Sequence, residues 1–236
     1  MASTYWFHGQ LTPESLCRFR IGDAEAVNKR WAINVLGDAW AVKGVQLPES
    51  ADSLALWREC VDVSQLVLSC YALRTGYALD LRIDRWVEAR NTPPNTSIVH
   101  AVRWDTMVAD KEATAQMTLA IWDAEQVLEL GNPDWRFAHA DLHTALRDEG
   151  DDWVLWAYRS IEDCARAVSD PGLRQWERLH AHLSVNEAEF KDRVKMLQVG
   201  RDAIGHGNRS DVGLAAASRE RRPSRPGTED RSRGGR

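Results

Sequence analysis

Arg201 and His206, near the end of the chain, are the two residues whose types and spacing suggest chemistry. A histidine titrates near neutral pH, so it can accept the proton of a ribose 2'-hydroxyl or donate one to a leaving group. An arginine is a permanent cation that can stabilise the extra negative charge on phosphorus in a transition state. These are the two kinds of group that cleavage of RNA without a metal would require.

The spacing of these two residues is by itself a loose pattern, because an arginine followed by a histidine after four to six residues occurs three times in the chain. The segments 136–143 and 174–180 fit it as well as the segment 201–206. Only in the last is the arginine followed directly by an acid, Asp202, and only there does it fall on a predicted helix face that is otherwise apolar. The predicted helix context therefore singles out Arg201 and His206.

The helix that carries Arg201 is predicted to begin at Ser184. Ser184 and Glu187 fit a capping box, in which each side chain satisfies the other's free backbone amide. The apolar stripe that leads to Arg201 consists of Phe190, Val194 and Leu197. We therefore expect the guanidinium on the buried face of the helix.

The end of this helix has to bring the imidazole and the guanidinium together. Positions five apart on a continuous helix point about 140° apart. Gly205 and Gly207 flank the histidine and can unwind the helix, so we expect the imidazole to turn back toward the guanidinium. Asp202 and Glu162 are candidates for orienting either side chain.

Three further helices are predicted before this one, after the breaker Gly131–Pro133: Asp134–Asp148, Asp152–Val168 and Leu173–Leu183. Residues 134–207 resemble the HEPN family. The segment 201–206 matches the HEPN ribonuclease signature of an arginine, a polar residue, three more residues and a histidine, and the segments Ala157–Asp163 and Trp176–Leu179 are similar to the C-terminal module of bacterial HEPN-like proteins.

The resemblance implies a helical bundle with metal-independent endoribonuclease activity in which Arg201 and His206 are the catalytic residues. Asp202 and Glu162 are the supporting residues predicted from the sequence itself. It implies a homodimer whose two motifs face one groove, RNA products that end in a 2',3'-cyclic phosphate, a toxin-like or defence-related role, and no cofactor.

Residues 1–130 are predicted to form a separate mixed α and β part, so the fold class is α+β, with a role for this part left open. The clearest strand alternates from Tyr77 to Asp84 and follows a helix, Asp62–Arg74, that ends at Gly76. Another helix is predicted at Lys111–Leu130. Weaker strand candidates are Tyr5–His8, Cys17–Ile21, Trp31–Leu36, Trp40–Val45 and Ser97–Trp104.

Residues 208–236 form an Arg-rich tail with eight arginines against four acids, inside a chain whose net charge is -5. Its low apolar content predicts disorder. HEPN bundles continue after the histidine with another amphipathic helix, which this tail lacks. A truncated or frame-altered end in GC-rich DNA is the alternative to a native tail.

The sequence also predicts a cytoplasmic protein, because no signal peptide or apolar stretch of membrane-spanning length is present. The scattered cysteines favour reduced thiols. No metal site is predicted, since the histidines at helical spacing lack convergent carboxylates: His139, His143, His180 and His182.

Other interpretations of the Arg201 and His206 pair remain open. Cations are favoured at a helix C-terminus by the helix dipole, so both residues could serve only as caps. The main functional alternative to an enzyme is a non-catalytic HEPN-like module that binds RNA, a nucleotide or a partner protein. A purely structural interaction domain is a third possibility.

Overall fold

The computed structural model describes residues 3–22, 26–27, 30–47, 52–89, 109–148, 150–168 and 175–205. Within these residues the chain is α+β, with an N-terminal antiparallel sheet followed by a helical C-terminal part. The sheet strands are β1 (Ser3–Thr12), β2 (Phe19–Ile21), β3 (Ala26–Val27), β4 (Trp31–Gly37), β5 (Ala39–Leu47) and β6 (Asp80–Ala89).

The sheet has the strand order β2-β4-β5-β1-β6, and β3 pairs with β4 at its edge. Alternate residues of each strand point to opposite faces, and β4 shows this as a regular alternation of buried and half-buried residues. Its inner face supplies the aromatic and branched half of the main core: Tyr5, Phe7, Leu11, Phe19, Trp31, Ile33, Val35, Trp40 and Val42.

Two helices, α1 (Ser53–Thr75) and α2 (Lys111–Glu129), complete this core against the inner face. Asp52 caps α1 by accepting a hydrogen bond from the Leu54 amide, and Gly76 ends it in the left-handed conformation, with φ of 74°. The buried Trp40 indole donates to the Ser64 hydroxyl at 3.2 Å, which ties α1 to β5. The helix predicted at Asp62–Arg74 and its glycine end are confirmed, although α1 begins earlier, at Ser53. The predicted helix α2 is also confirmed.

The helical part contains α3 (Pro133–Arg147), α4 (Trp153–Ala167), α5 (Gln175–Leu183) and α6 (Glu187–Gly205). Helix α3 packs on α1 as well as on α4. Trp135 joins the main core, and His139 Nδ1 lies 3.8 Å from Cys70 Sγ. The helical part therefore shares a packed interface with the sheet part across the predicted boundary at Gly131–Pro133.

The strand predicted from Tyr77 to Asp84 is displaced, since β6 begins only at Asp80 and continues to Ala89. A β-bulge accounts for the missed C-terminal end of the strand: His8 pairs with Arg85 and Gly9 with Ile83, so Asp84 is an extra residue in β6. The bulge shifts which residues of β6 point inward and outward, so the residues after Asp84 no longer fit the period-two pattern of the residues before it. Gly9 is required there, because a Cβ on it would lie 2.5 Å from the Arg82 carbonyl oxygen.

The predicted capping box at the start of the last helix is also wrong. Ser184 adopts a left-handed conformation, with φ of 53°, and α6 begins three residues later at Glu187. Its cap is Asn186, whose Oδ1 accepts from the Ala188 and Glu189 amides at 3.0 and 3.1 Å. The spacing of Ser184 and Glu187 does not mark the helix start, because Asn186 occupies the capping position and Ser184 lies two residues before it.

The remaining strand predictions at Tyr5–His8, Cys17–Ile21, Trp31–Leu36 and Trp40–Val45 correspond to β1, β2, β4 and β5. The predicted strand Ser97–Trp104 and the tail 208–236 lie outside the described residues. Across the part of the chain that is described, no helix is both long and apolar enough to span a membrane.

Candidate functional site

Arg201 lies in the last turns of α6, and its guanidinium covers the ring of Tyr158 on α4. The Arg201 Cζ is 4.2 Å from the ring centroid, within the range of a cation–π contact. Tyr158 is 4% exposed, whereas the Arg201 side chain is 31% exposed. The Arg201 side chain is therefore half-buried against α4, so the guanidinium is not fully buried and solvent still reaches it.

Two carboxylates lie beside this guanidinium. Arg201 Nε and Nη2 donate to Asp202 Oδ1 at 3.0 and 2.7 Å, and this hydrogen bonding raises the pKa of Arg201 above its already high usual value. Glu162 Oε1 lies 3.6 Å from Arg201 Nη1. The structure thus brings together three of the four predicted site residues, namely Arg201, Asp202 and Glu162.

Helix α4 positions Tyr158 and Glu162 on one face, because residues four apart lie one helical turn apart. Burial raises the pKa of the Tyr158 hydroxyl, and the neighbouring Arg201 opposes that effect. Tyr158 is therefore a neutral phenol at physiological pH, and its ring provides a flat apolar support for the cation.

An aromatic row fills the space between α4, α5 and α6. Trp176 lies between Tyr158 and Phe190, with ring centroids 5.9 and 6.3 Å away, and the His180 ring is 6.4 Å from Phe190. His180 Nε2 lies 3.9 Å from Glu187 at the start of α6. This row fixes the distance between α4 and α6, and so the position of Arg201 over Tyr158.

His206 lies outside the described residues. Helix α6 continues through Gly205, the residue before it. The turn that would bring the imidazole back to Arg201 must therefore start at Gly205 or beyond, and the convergence of the two side chains stays a prediction.

The other arginine and histidine segments have different surroundings. Arg136 Nη2 pairs with Asp62 Oδ2 at 3.4 Å on an exposed part of the α1–α3 interface. His143 is half-buried on α3, and its Nδ1 has no hydrogen-bond partner among the described residues. Within the described ranges, no cluster of His, Cys, Asp or Glu side chains has the geometry to hold a metal ion.

Sequence reasoning missed Tyr158. It placed the buried stripe of α4 on Trp153, Ala157, Ile161, Cys164 and Val168, but these are half-buried, whereas Val154, Tyr158, Ser160, Asp163 and Ala165 are buried. Helix α4 is covered by α3 on one side and by α6 on another, so its covered surface is wider than one stripe. The signal that could have found Tyr158 is its position four residues before Glu162, which places both side chains on the same face of α4.

Comparison with protein-family models, with curated proteins and with solved structures gives no match to this chain.

Proposed function

We propose that this protein is a metal-independent endoribonuclease of the HEPN type, in which Arg201 binds the scissile phosphate. The observation that carries the proposal is the fixed, solvent-accessible guanidinium of Arg201 on the ring of Tyr158, five residues before His206. A cation held in place before the substrate arrives stabilises developing negative charge without the cost of reorganisation.

In the proposed reaction, the ribose 2'-oxygen attacks the adjacent phosphorus and the bond from phosphorus to the 5'-oxygen breaks. His206 accepts the 2'-hydroxyl proton as the ribose oxygen attacks and then delivers that proton to the leaving 5'-oxygen. The products are a 2',3'-cyclic phosphate and a 5'-hydroxyl, so no water or metal is consumed. Arg201 binds the non-bridging oxygens, which carry the extra charge of the transition state.

Asp202 and Glu162 are proposed as positioning residues. Asp202 occupies Nε and Nη2 of Arg201, which orients the guanidinium and leaves the Nη1 end toward Glu162. The proposal includes the homodimer implied by the HEPN resemblance, with the two motifs facing one groove, and a toxin-like or defence-related role.

The test is incubation of the full-length protein with mixed RNA in EDTA, followed by analysis of the product ends. We expect cyclic-phosphate products from the wild type and a loss of about a hundredfold or more in Arg201→Ala and His206→Ala. Arg193→Ala is the matched control, because Arg193 lies on the same helix with its side chain 76% exposed. Cleavage that persists unchanged in both site variants would rule out this site.

The alternative function is a non-catalytic HEPN-like module that binds RNA, a nucleotide or a protein partner. The observation that favours it is the pair of carboxylates at Arg201, which offset the charge that a phosphate would need. In the same experiment, a folded wild type that binds RNA in EDTA but yields no product supports this alternative over the enzyme.

A further inference from the structure

The sheet has a second face, directed away from α1 and α2, that carries aromatic and cationic side chains. Tyr5, Phe7 and Leu11 of β1 point into the core, so Trp6 and His8 between them point to the other side. We call this side the outer face. Its aromatic and cationic residues are Trp6, His8, Arg20, Lys43, Arg82 and Arg85.

The register of the strands brings these residues together. Trp6 lies opposite Lys43 on β5 and Val87 on β6, and His8 lies opposite Arg85. Directly opposed residues of antiparallel strands share a face and lie close enough for their side chains to interact. The outer face is therefore one continuous surface across β5, β1 and β6.

Two aromatic rings lie at the centre of the outer face. The Trp6 and His8 rings are nearly parallel, with an angle of 4° between their planes and 6.2 Å between their centroids. Lys43 Nζ lies 5.4 Å from the centroid of the Trp6 ring. His8 is only 6% exposed, and Trp6 and Lys43 are half-buried, so the Trp6 ring is the part of this pair that a ligand can reach, beside the Lys43 cation.

The charges around these rings are mostly positive, although the chain as a whole has a net charge of -5. Arg82 and Arg85 on β6 are exposed. Two carboxylates lie at the margins: Asp38 accepts a hydrogen bond from Gln10 at 2.7 Å in the turn between β4 and β5, and Asp80 pairs with Arg147 at 2.9 Å. A third, Asp84, is the extra residue of the bulge and lies beside Arg85.

We propose that the outer face binds single-stranded nucleic acid, with a base stacked on Trp6 and the flanking phosphates bound by Lys43, Arg82 and Arg85. Stacking on an aromatic ring requires an unpaired base, and cations along the same surface follow the phosphate backbone. A duplex hides the faces of its bases, so it would use only the cations. The proposal gives the N-terminal part a role and does not depend on cleavage at Arg201.

The test uses the full-length protein with Arg201→Ala, so that cleavage does not consume the probe, and a fluorescein-labelled 12-nucleotide oligouridine in an anisotropy titration. We expect Trp6→Leu to weaken binding by about tenfold, the effect of losing one stacked base, and Trp6→Phe to retain most of the affinity. Arg85→Glu should weaken binding and reduce its dependence on salt concentration. Because Arg85 is exposed, we expect Arg85→Glu to fold normally, so it tests the outer face even if a Trp6 variant fails to fold.

Trp122→Leu and Arg58→Glu are the matched controls, since Trp122 is 55% exposed on α2 and Arg58 is exposed on α1. Equal losses in these controls would overturn the proposal, as would equal affinity for a duplex of the same length. Binding of anionic phosphatidylserine vesicles without binding of the oligouridine would assign the outer face to a membrane surface and would also overturn it. None of these outcomes depends on whether the wild-type protein, which retains Arg201, cleaves RNA.

Discussion

The guanidinium of Arg201 is held by groups that differ in what they do to its charge. The Tyr158 ring supports it through its π face and leaves the full positive charge in place, whereas Asp202 and Glu162 offset that charge. All three ion-pair partners are about a third to a half exposed, so the pairs contribute little to folding stability. Their main effect is on where the guanidinium points, and the ring beneath it provides the more buried contact.

Replacing Tyr158 removes the ring beneath Arg201 and leaves the positive charge of the guanidinium unchanged. We expect Tyr158→Leu to lower the free energy of unfolding by about 1–3 kcal/mol, because the cation–π contact and the contact with Trp176 are lost. The same variant should reduce RNA cleavage, while Tyr158→Phe keeps the ring and most of both properties. Denaturant unfolding and the cleavage assay measure the two effects. Equal behaviour of the Leu and Phe variants would show that the ring is irrelevant.

Helix α6 is capped by Asn186, whereas the sequence pattern had indicated Ser184. Asn186 satisfies two amide groups of the first turn, and Ser184 occupies a left-handed position between α5 and α6. Both features sit between two short helices whose contact depends on Trp176, Phe190 and His180. The direction of α6, and so the place of Arg201, is set at this junction.

Substitutions at the junction should have opposite signs. Asn186→Ala is expected to destabilise the protein by about 1 kcal/mol through the lost cap. Ser184→Gly is expected to stabilise it by up to about 1 kcal/mol, because glycine adopts a positive φ without strain. Thermal melts followed by circular dichroism report both changes. A loss of stability in Ser184→Gly together with a neutral Asn186→Ala would restore the capping box that the sequence suggested.

At the scale of the whole molecule, the interface between α1 and α3 joins the sheet part to the helical part, so its stability affects both. His139 and His143 lie one turn apart on α3 and face α1, with His139 beside Cys70. Burial lowers the pKa of both histidines from the usual 6.5. The neutral imidazoles are therefore part of the packed interface.

This burial predicts the pH dependence of stability. The unfolded chain takes up protons near pH 6.5 that the folded chain resists, so the stability present at neutral pH should fall as the pH drops below about 6.5. Burial also raises the pKa of Asp141 above 3.8, which acts in the opposite direction at lower pH, because protonation then favours the folded state. Melting temperatures between pH 8 and pH 5.5 measure the net effect.

A double variant, His139→Gln with His143→Gln, should show a smaller loss of melting temperature across that range than the wild type. His182→Gln is the control, because His182 is exposed on α5. An unchanged pH dependence in the double variant would contradict the assignment of this effect to the α1–α3 interface.

Local patterns predicted the fold where one rule governed a segment. Asp62–Arg74 with Gly76 gave a helix end correctly, because glycine in the left-handed conformation is a local requirement. The stripe of α4 and the start of α6 were misjudged, since the burial of Tyr158 and the conformation of Ser184 depend on neighbouring helices. At the candidate site, the sequence could indicate Arg201 and its two acids, but the supporting ring of Tyr158 comes from another helix.

The bulge in β6 determines which chemistry the outer face can display. Before the bulge, Leu81 and Ile83 pack against the core. After it, Trp86 lies opposite Phe7 with its ring 6.2 Å from that of Tyr5, and it is 44% exposed. If Asp84 took a regular ladder position instead of forming the bulge, the alternation of β6 would place Arg85 on the inner side and Trp86 on the outer face. The bulge thus keeps Arg85 on the outer face, and deletion of Asp84 should restore regular pairing with Arg85 still on that side.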